Sequence, residues 1–146
     1  MAVFNFYTQG VDLAIASLPT SFDNTYARSY RVQPGPIAIQ ISITGGTFMS
    51  LDFAFANENV ETLAAATDTN WYLVSDGALN PINTTRNFAP GRSYIDLSSF
   101  APSGDASHYW NGCIPNGANW MRVRMQRTGT PTALSVKIMA NAPYVS

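Results

Sequence analysis

Apolar and polar residues alternate with a period of two through much of this chain, which predicts β-strands rather than helices. Over residues 37–44 four isoleucines alternate with smaller or polar side chains, as in a strand with one buried face. The segment 47–56 continues the alternation, and one of its faces carries Met49, Leu51, Phe53 and Phe55. Because Gly45-Gly46 separates the two segments and is a two-residue turn signal, residues 37–56 are predicted to form a β-hairpin.

The end of the chain repeats this organisation. Residues 120–127 place Met121, Val123 and Met125 on one face, and 133–140 alternate in the same way. The residues between them, TGTPT, contain turn-forming glycine and proline. The sequence therefore predicts a second, closing β-hairpin.

The remaining segments complete an all-β pattern. Further strands are predicted at 3–7, 26–32, 71–75, 82–88 and 92–97, a short helix or a long loop at 57–69, and a polar loop at 98–118. Many short strands without a β-α-β rhythm favour an antiparallel arrangement. We therefore expect one all-β domain over residues 1–146, an antiparallel β-sandwich or jelly-roll-like fold with long loops and at most one short helix.

The composition of the chain excludes several classes of function. The length of 146 residues suits one domain, and one cysteine and one histidine exclude an internal disulfide and a Cys/His zinc site. Eight basic and nine acidic residues nearly cancel, which argues against a duplex nucleic-acid binder. The chain has neither an 18-residue apolar run nor the basic and apolar start of a signal peptide. We expect cytoplasmic synthesis and no membrane span.

The low charge content is the most unusual property of the chain. Only 12% of residues are charged, against about 25% in average soluble domains. Lys137 is the only lysine among eight basic residues, and lysine is depleted at protein interfaces whereas arginine and aromatic residues are enriched there. This composition fits either a charge-poor β-domain or a protein whose surface is covered by partners.

Candidate catalytic groups are few. His108 and Cys113 lie in one predicted loop without an orienting third group. Five acidic residues form a run between two predicted strands, but they lack calcium-loop spacing, and the sequence does not show that any two of their carboxylates face each other across a cleft, as glycoside hydrolysis requires. These acidic residues are Asp52, Glu58, Glu61, Asp68 and Asp76. We expect no enzyme activity, cofactor or metal, and a hydrolase is kept as a third hypothesis.

Aromatic and arginine side chains are stronger candidates for binding. The aromatic residues Trp71, Tyr72, Tyr109, Trp110 and Trp120 suit either a sugar-stacking surface or the protein core. Arg122 and Arg124 lie on one face of a predicted strand, with Arg127 at the end of that strand. Arginines so placed suit carboxylates or backbone carbonyls of a partner, or they form a solvent-exposed face.

Four segments carry a resemblance that extends over the whole chain: PIAIQISITGGTFMSLDFAF, WYLVS, FAPGRSYIDL and NWMRVRMQRTGTPTALSVKI. In these patterns the chain resembles small β-sandwich virion proteins of tailed bacteriophages. The resemblance implies a capsid cement, or decoration, protein with a jelly-roll-like fold. Such a protein lies on the capsid exterior and binds the major capsid protein and copies of itself as a dimer or trimer.

In a protein of this kind, the two ends of the chain are candidates for contact with a partner. Because free termini are usually disordered unless they are held, residues 1–7 and 140–146 are expected to contact a partner, for instance as added strands. The predicted partner contacts are Val3, Phe4, Phe6, Tyr7, Arg122, Arg124 and Tyr144. The alternative function is a carbohydrate-binding or host-recognition module of a phage fibre or tail.

Overall fold

The computed structural model describes residues 2–45, 48–58, 60, 63–64, 71, 83–84, 94–96 and 106–143. This part of the chain holds a short 3-10 helix, Ile15–Ser17, and a series of strands. The strands are β1 (Ala2–Thr8), β2 (Ala27–Arg31), β3 (Gly35–Thr44), β4 (Phe48–Ala56), β5 (Asn83–Thr84), β6 (Tyr94–Asp96), β7 (Ala106–Ile114), β8 (Trp120–Thr128) and β9 (Ala133–Ala140).

The strands form two sheets. Sheet A has the order β1-β9-β3-β7 and sheet B the order β2-β8-β4-β6-β5. The pairing is nested, because β1 pairs with β9, β2 with β8, β3 with β7 and β4 with β6, all antiparallel. One long hairpin rolled into two sheets is the jelly-roll arrangement, to which β5 adds a parallel edge pair with β6. The predicted all-β, jelly-roll-like sandwich is confirmed.

The inner faces of the two sheets share one hydrophobic core. In sheet A the isoleucines of β3 are at most 2% exposed, and in sheet B Met121, Val123 and Met125 are fully buried. Both sets belong to one cluster of contacting side chains. Since burying one such side chain contributes roughly 1.5–3 kcal/mol, this cluster is the main source of stability, and the inward positions predicted from the alternation are confirmed.

Both predicted hairpins are wrong, although their strands exist. β3 belongs to sheet A and β4 to sheet B, and the same separation divides β8 from β9. Each connection therefore crosses between the sheets instead of joining hydrogen-bonded neighbours. At the first crossing Gly45 has a φ of +106°, a backbone conformation that strongly favours glycine.

Other predicted elements have mixed outcomes. The loop predicted over 98–118 is wrong in part, because β7 occupies Ala106–Ile114 and pairs with β3. Its β-favouring aromatic residues and this pairing outweigh its polar composition. The helix considered at 57–69 and the strand at 71–75 lie mostly outside the described residues.

The chain between β1 and β2 is fastened to the end of β8 by one arginine. The Arg127 side chain donates to the carbonyl oxygens of Ala16, Leu18 and Gly129 at 2.9, 2.9 and 2.8 Å. Its backbone N–H also donates to the Pro19 carbonyl at 2.8 Å. These contacts stabilise the described segment 9–26, which contains the 3-10 helix, against sheet B.

Candidate functional site

The outer face of sheet B is largely covered by the protein's own chain. Ala54, Ala56 and Trp120 alternate with core residues and so face outward, yet they are 0%, 3% and 5% exposed. Leu63 packs against Ala56 and Trp120, and the indole N–H of Trp120 donates to the Val60 carbonyl at 3.2 Å. This part of sheet B is therefore occupied by the segment that follows β4.

The arginines of β8 are also engaged within the chain. Arg124 forms an ion pair and hydrogen bond with Asp52, directly opposite it in the β4–β8 register. The Arg122 guanidinium lies over the Trp71 ring, 5.6 Å from its centre. Burial, reinforced by neighbouring Arg124, lowers the pKa of Arg122. Both arginines are half-buried. Their contacts with Asp52 and Trp71 therefore contribute to the packing of the outer face of sheet B.

The outer face of sheet A, in contrast, is open over most of its described residues, although Ala38 is buried. Strand register aligns its outward residues in three rows across the sheet. The rows are Val3–Met139–Ala38, Asn5–Lys137–Gln40–Tyr109 and Ser135–Ser42–Ser107. Lys137 is the only charged side chain among these described residues. The low charge of the whole chain is therefore especially marked on this surface.

A shallow depression of about 250 Å³ lies at the β3–β7 side of this open face. It is lined by Gln40, Ile41, Ser42, Ser107 and Tyr109. Tyr109 is 58% exposed, and the Ser42 and Ser107 hydroxyls are 3.4 Å apart, within hydrogen-bond distance. The depression thus combines an exposed aromatic ring with amide and hydroxyl groups.

The opposite border of sheet A is the free edge of β1. Near its end, the Phe6 carbonyl accepts from the Tyr26 hydroxyl at 2.6 Å and the Thr8 N–H donates to Asp12 at 2.7 Å. A bulge between Asn5 and Tyr7 further interrupts the strand. The first half, residues 2–5, has β9 as its only partner strand among the described residues. Within the part of the chain that the structure describes, that half of the edge is open.

Exposed apolar side chains follow directly after β1, in the segment 9–14, here called the first loop. Val11 is 81% and Leu13 42% exposed. The backbone beneath them is held, because the Thr8 carbonyl accepts from the Val11 N–H at 3.1 Å and the Tyr7 hydroxyl donates to the Leu13 carbonyl at 2.6 Å. The first loop therefore presents apolar groups on a supported backbone.

The predicted contact residues of the first strand have different environments. Val3 is 57% exposed on the open face, and Phe4 is half-buried against a tyrosine ring of β2. Phe6 and Tyr7 are each 1% exposed. The expectation that these last two contact a partner is corrected, because the bulge in β1 places both in the chain's own core.

The chain ends are described in part. Residues 2–8 pair with residues 135–140 in sheet A, and β9 lies between β1 and β3, so of these two strands only β1 has an outer edge that a partner strand can reach. Tyr144, another predicted contact, lies outside the described residues. The Gln33 N–H donates to the Asn141 carbonyl at 2.9 Å, which holds the chain just beyond β9.

The candidate catalytic pair is separated by the strand that carries it. His108 and Cys113 pair with Ile41 and Pro36 of β3 in one continuous register. Five residues of extended strand separate their backbone positions by about 16 Å, so the register does not bring the two residues together. Among the residues that the structure describes, no group of three or more His, Cys, Asp or Glu residues could hold a metal ion.

The open-face groups were only partly identified from the sequence. Tyr109 was a candidate aromatic residue, whereas Gln40, Ser42 and Ser107 were not singled out. The prediction of a loop over 98–118 gave no indication that these residues lie close together, because only the β3–β7 register places Tyr109 opposite Gln40 and Ser107 opposite Ser42. A β-propensity signal at SHYW could have revealed it.

No family model, curated protein or solved structure matches the chain. Within the described part of the chain, no helix has the length and apolar character needed to cross a membrane.

Proposed function

We propose that this chain is a non-enzymatic virion structural protein, a capsid decoration protein that bridges and stabilises major capsid protein subunits from the capsid exterior. The observation that carries the proposal is the open, uncharged edge at residues 2–5 of β1. The jelly roll, a fold of viral capsid domains among others, and the resemblance over the whole chain support the same function.

The character of the β1 edge favours a permanent partner. Natural proteins protect exposed edge strands with charges, prolines, bulges or a covering segment, because an open edge pairs with other chains. The sequence of β1, AVFNFYT, contains neither charge nor proline. Its second half is closed by Tyr26, Asp12 and the bulge, whereas none of the described residues protects its first half in this way. An extended segment of a capsid subunit would extend sheet A there by strand addition.

The first loop offers a second contact region, separated from the open half of the edge by the closed second half of β1. Strand addition provides backbone hydrogen bonds, and side chains such as Val11 and Leu13 add apolar area that becomes buried at an interface. Because many copies act together on a symmetrical shell, modest affinity at each site suffices for stable attachment. Copies of the chain placed around a symmetry axis as a dimer or trimer would each present β1 to the capsid.

The test uses phage particles that lack this protein. Purified chain added to such particles should bind in stoichiometric amounts and raise their resistance to heat. Val3→Lys and Asn5→Lys place protective charges on the open edge and should each weaken attachment at least tenfold. Gln33→Lys, at an exposed position outside sheet A, is the matched control.

Three results would contradict the proposal. The protein could be absent from purified wild-type particles, or particles with and without it could have equal heat resistance. Alternatively, the folded Val3→Lys and Asn5→Lys proteins could attach as well as Gln33→Lys, which would exclude the β1 edge as the contact.

A further inference from the structure

We propose that the depression at the β3–β7 side of sheet A binds a neutral carbohydrate chain, with Tyr109 as the stacking surface and Gln40, Ser42 and Ser107 as hydrogen-bonding groups. This inference goes beyond the proposed attachment function, and its stacking surface lies at the β7 border of the sheet, opposite the β1 edge. The ring, the amide and both hydroxyls are exposed, so a ligand reaches them without a structural change.

The chemistry of the lining matches a sugar ring. One side of a pyranose is formed by C–H groups, which pack on the electron-rich face of an aromatic ring, while its hydroxyls lie around the rim. Gln40 sits directly opposite Tyr109 in the strand register, and its amide both donates and accepts hydrogen bonds. The Ser42 and Ser107 hydroxyls, 3.4 Å apart, likewise do both, as a sugar hydroxyl requires.

Charge and size argue against other ligand classes. Lys137 is the only charged residue among the described outward residues of sheet A, whereas phosphate chains recruit several cations and divalent metals recruit carboxylates. The volume of about 250 Å³ is below the roughly 300–1,000 Å³ of pockets that enclose drug-sized molecules. A shallow, neutral site of this size suits one ring of a longer chain that continues over the surface.

The rows of sheet A provide a path for such a chain. The row Tyr109–Gln40–Lys137–Asn5 crosses four adjacent strands and extends about 14 Å, from three strand spacings of about 4.8 Å. Beside it, Ser107, Ser42 and Ser135 form a parallel row of hydroxyls. An oligosaccharide lying across the strands would meet hydrogen-bonding groups along this path.

Binding is tested with the folded full-length chain on an array of neutral glucans, mannans, galactans and xylans, with sulfated and sialylated glycans as charged comparisons. Hits are then measured by titration calorimetry. Tyr109→Ala should reduce affinity for a neutral glycan about tenfold, whereas Tyr109→Phe, which keeps the stacking ring, should stay within about threefold. Gln40→Ala should reduce affinity about fivefold, and Gln33→Ala, an exposed glutamine elsewhere, should leave it unchanged.

The outcomes separate this inference from the attachment function. Absence of binding to every neutral glycan, preference for the charged glycans, or equal binding by Tyr109→Ala would overturn it. Loss of particle attachment in Tyr109→Ala without any glycan binding would assign the depression to a protein interface and would also overturn it. Because the edge variants of β1 leave Tyr109 intact, glycan binding should persist in Val3→Lys even if attachment is lost.

Discussion

Replacement of Arg127 by methionine should lower the free energy of unfolding by about 2 kcal/mol, a value that follows from the loss of a donor to the carbonyl of buried Leu18. The Arg127 side chain donates to the carbonyls of Ala16, Leu18 and Gly129. Ala16 and Gly129 are exposed, so water replaces the lost donor there at little cost. Leu18 is 2% exposed, and its carbonyl would be left without a partner, which costs about 1–3 kcal/mol.

Urea denaturation followed by tryptophan fluorescence measures this change. Methionine retains an unbranched apolar side chain, so the loss reports mainly the missing guanidinium. At 2–4 °C per kcal/mol for chains of about this length, the melting temperature should fall by about 4–8 °C. Arg127→Lys keeps the charge but cannot span three carbonyls with one ammonium group, so it should recover only part of the stability.

Arg28→Met is the matched control. The Arg28 side chain is 45% exposed, its ion pair with Asp12 spans 3.8 Å, and its guanidinium lies 4.4 Å from the centre of the Tyr26 ring, so its loss should cost less than about 1 kcal/mol. Equal effects of Arg28→Met and Arg127→Met would refute the reasoning. If Arg127→Met left stability unchanged and abolished attachment to particles, the arginine would serve a partner rather than its own chain.

Three further predictions concern other parts of the fold. Gly45→Ala should destabilise by about 2 kcal/mol or more in urea denaturation, because φ is +106° and a Cβ would lie 2.8 Å from the Thr132 nitrogen; an unchanged midpoint would contradict this. Burial raises the pKa of Tyr30 to about 12 from 10.0. The stabilisation by its neutral phenol is therefore complete below pH 10 and is lost as the pH rises towards 12. Between pH 8 and 11 the Tyr30→Phe variant should lose less stability than the wild-type protein. Trp120→Phe removes the hydrogen bond to the Val60 carbonyl and should cost about 1 kcal/mol, with faster hydrogen exchange expected in the segment after β4.

The alternation of residues along the chain determined the strands and their inner faces. The isoleucines of β3 and the row Met121, Val123 and Met125 of β8 are buried as their period predicts, because side chains on an extended strand point alternately to opposite faces. The jelly-roll-like class followed from the same signal. This information is local, and each strand carries it independently of its partners.

Only the tertiary structure decided which sheet each strand enters. A strand with one apolar face buries it equally well in a hairpin or across a sandwich, so the alternation around Gly45 did not distinguish the two arrangements. The nested pairing of β1 with β9 depends on contacts between the two ends of the chain, which no local pattern specifies.

The candidate binding surfaces also depended partly on the sequence and partly on the tertiary structure. Sequence alone revealed a neutral first strand and an aromatic Tyr109. The structure placed that strand at the edge of a sheet and Tyr109 beside Gln40. Whether a strand is central or at an edge, and which residues from distant segments share a face, depends on the packing of all strands around one core, since burial is a property of the assembled fold.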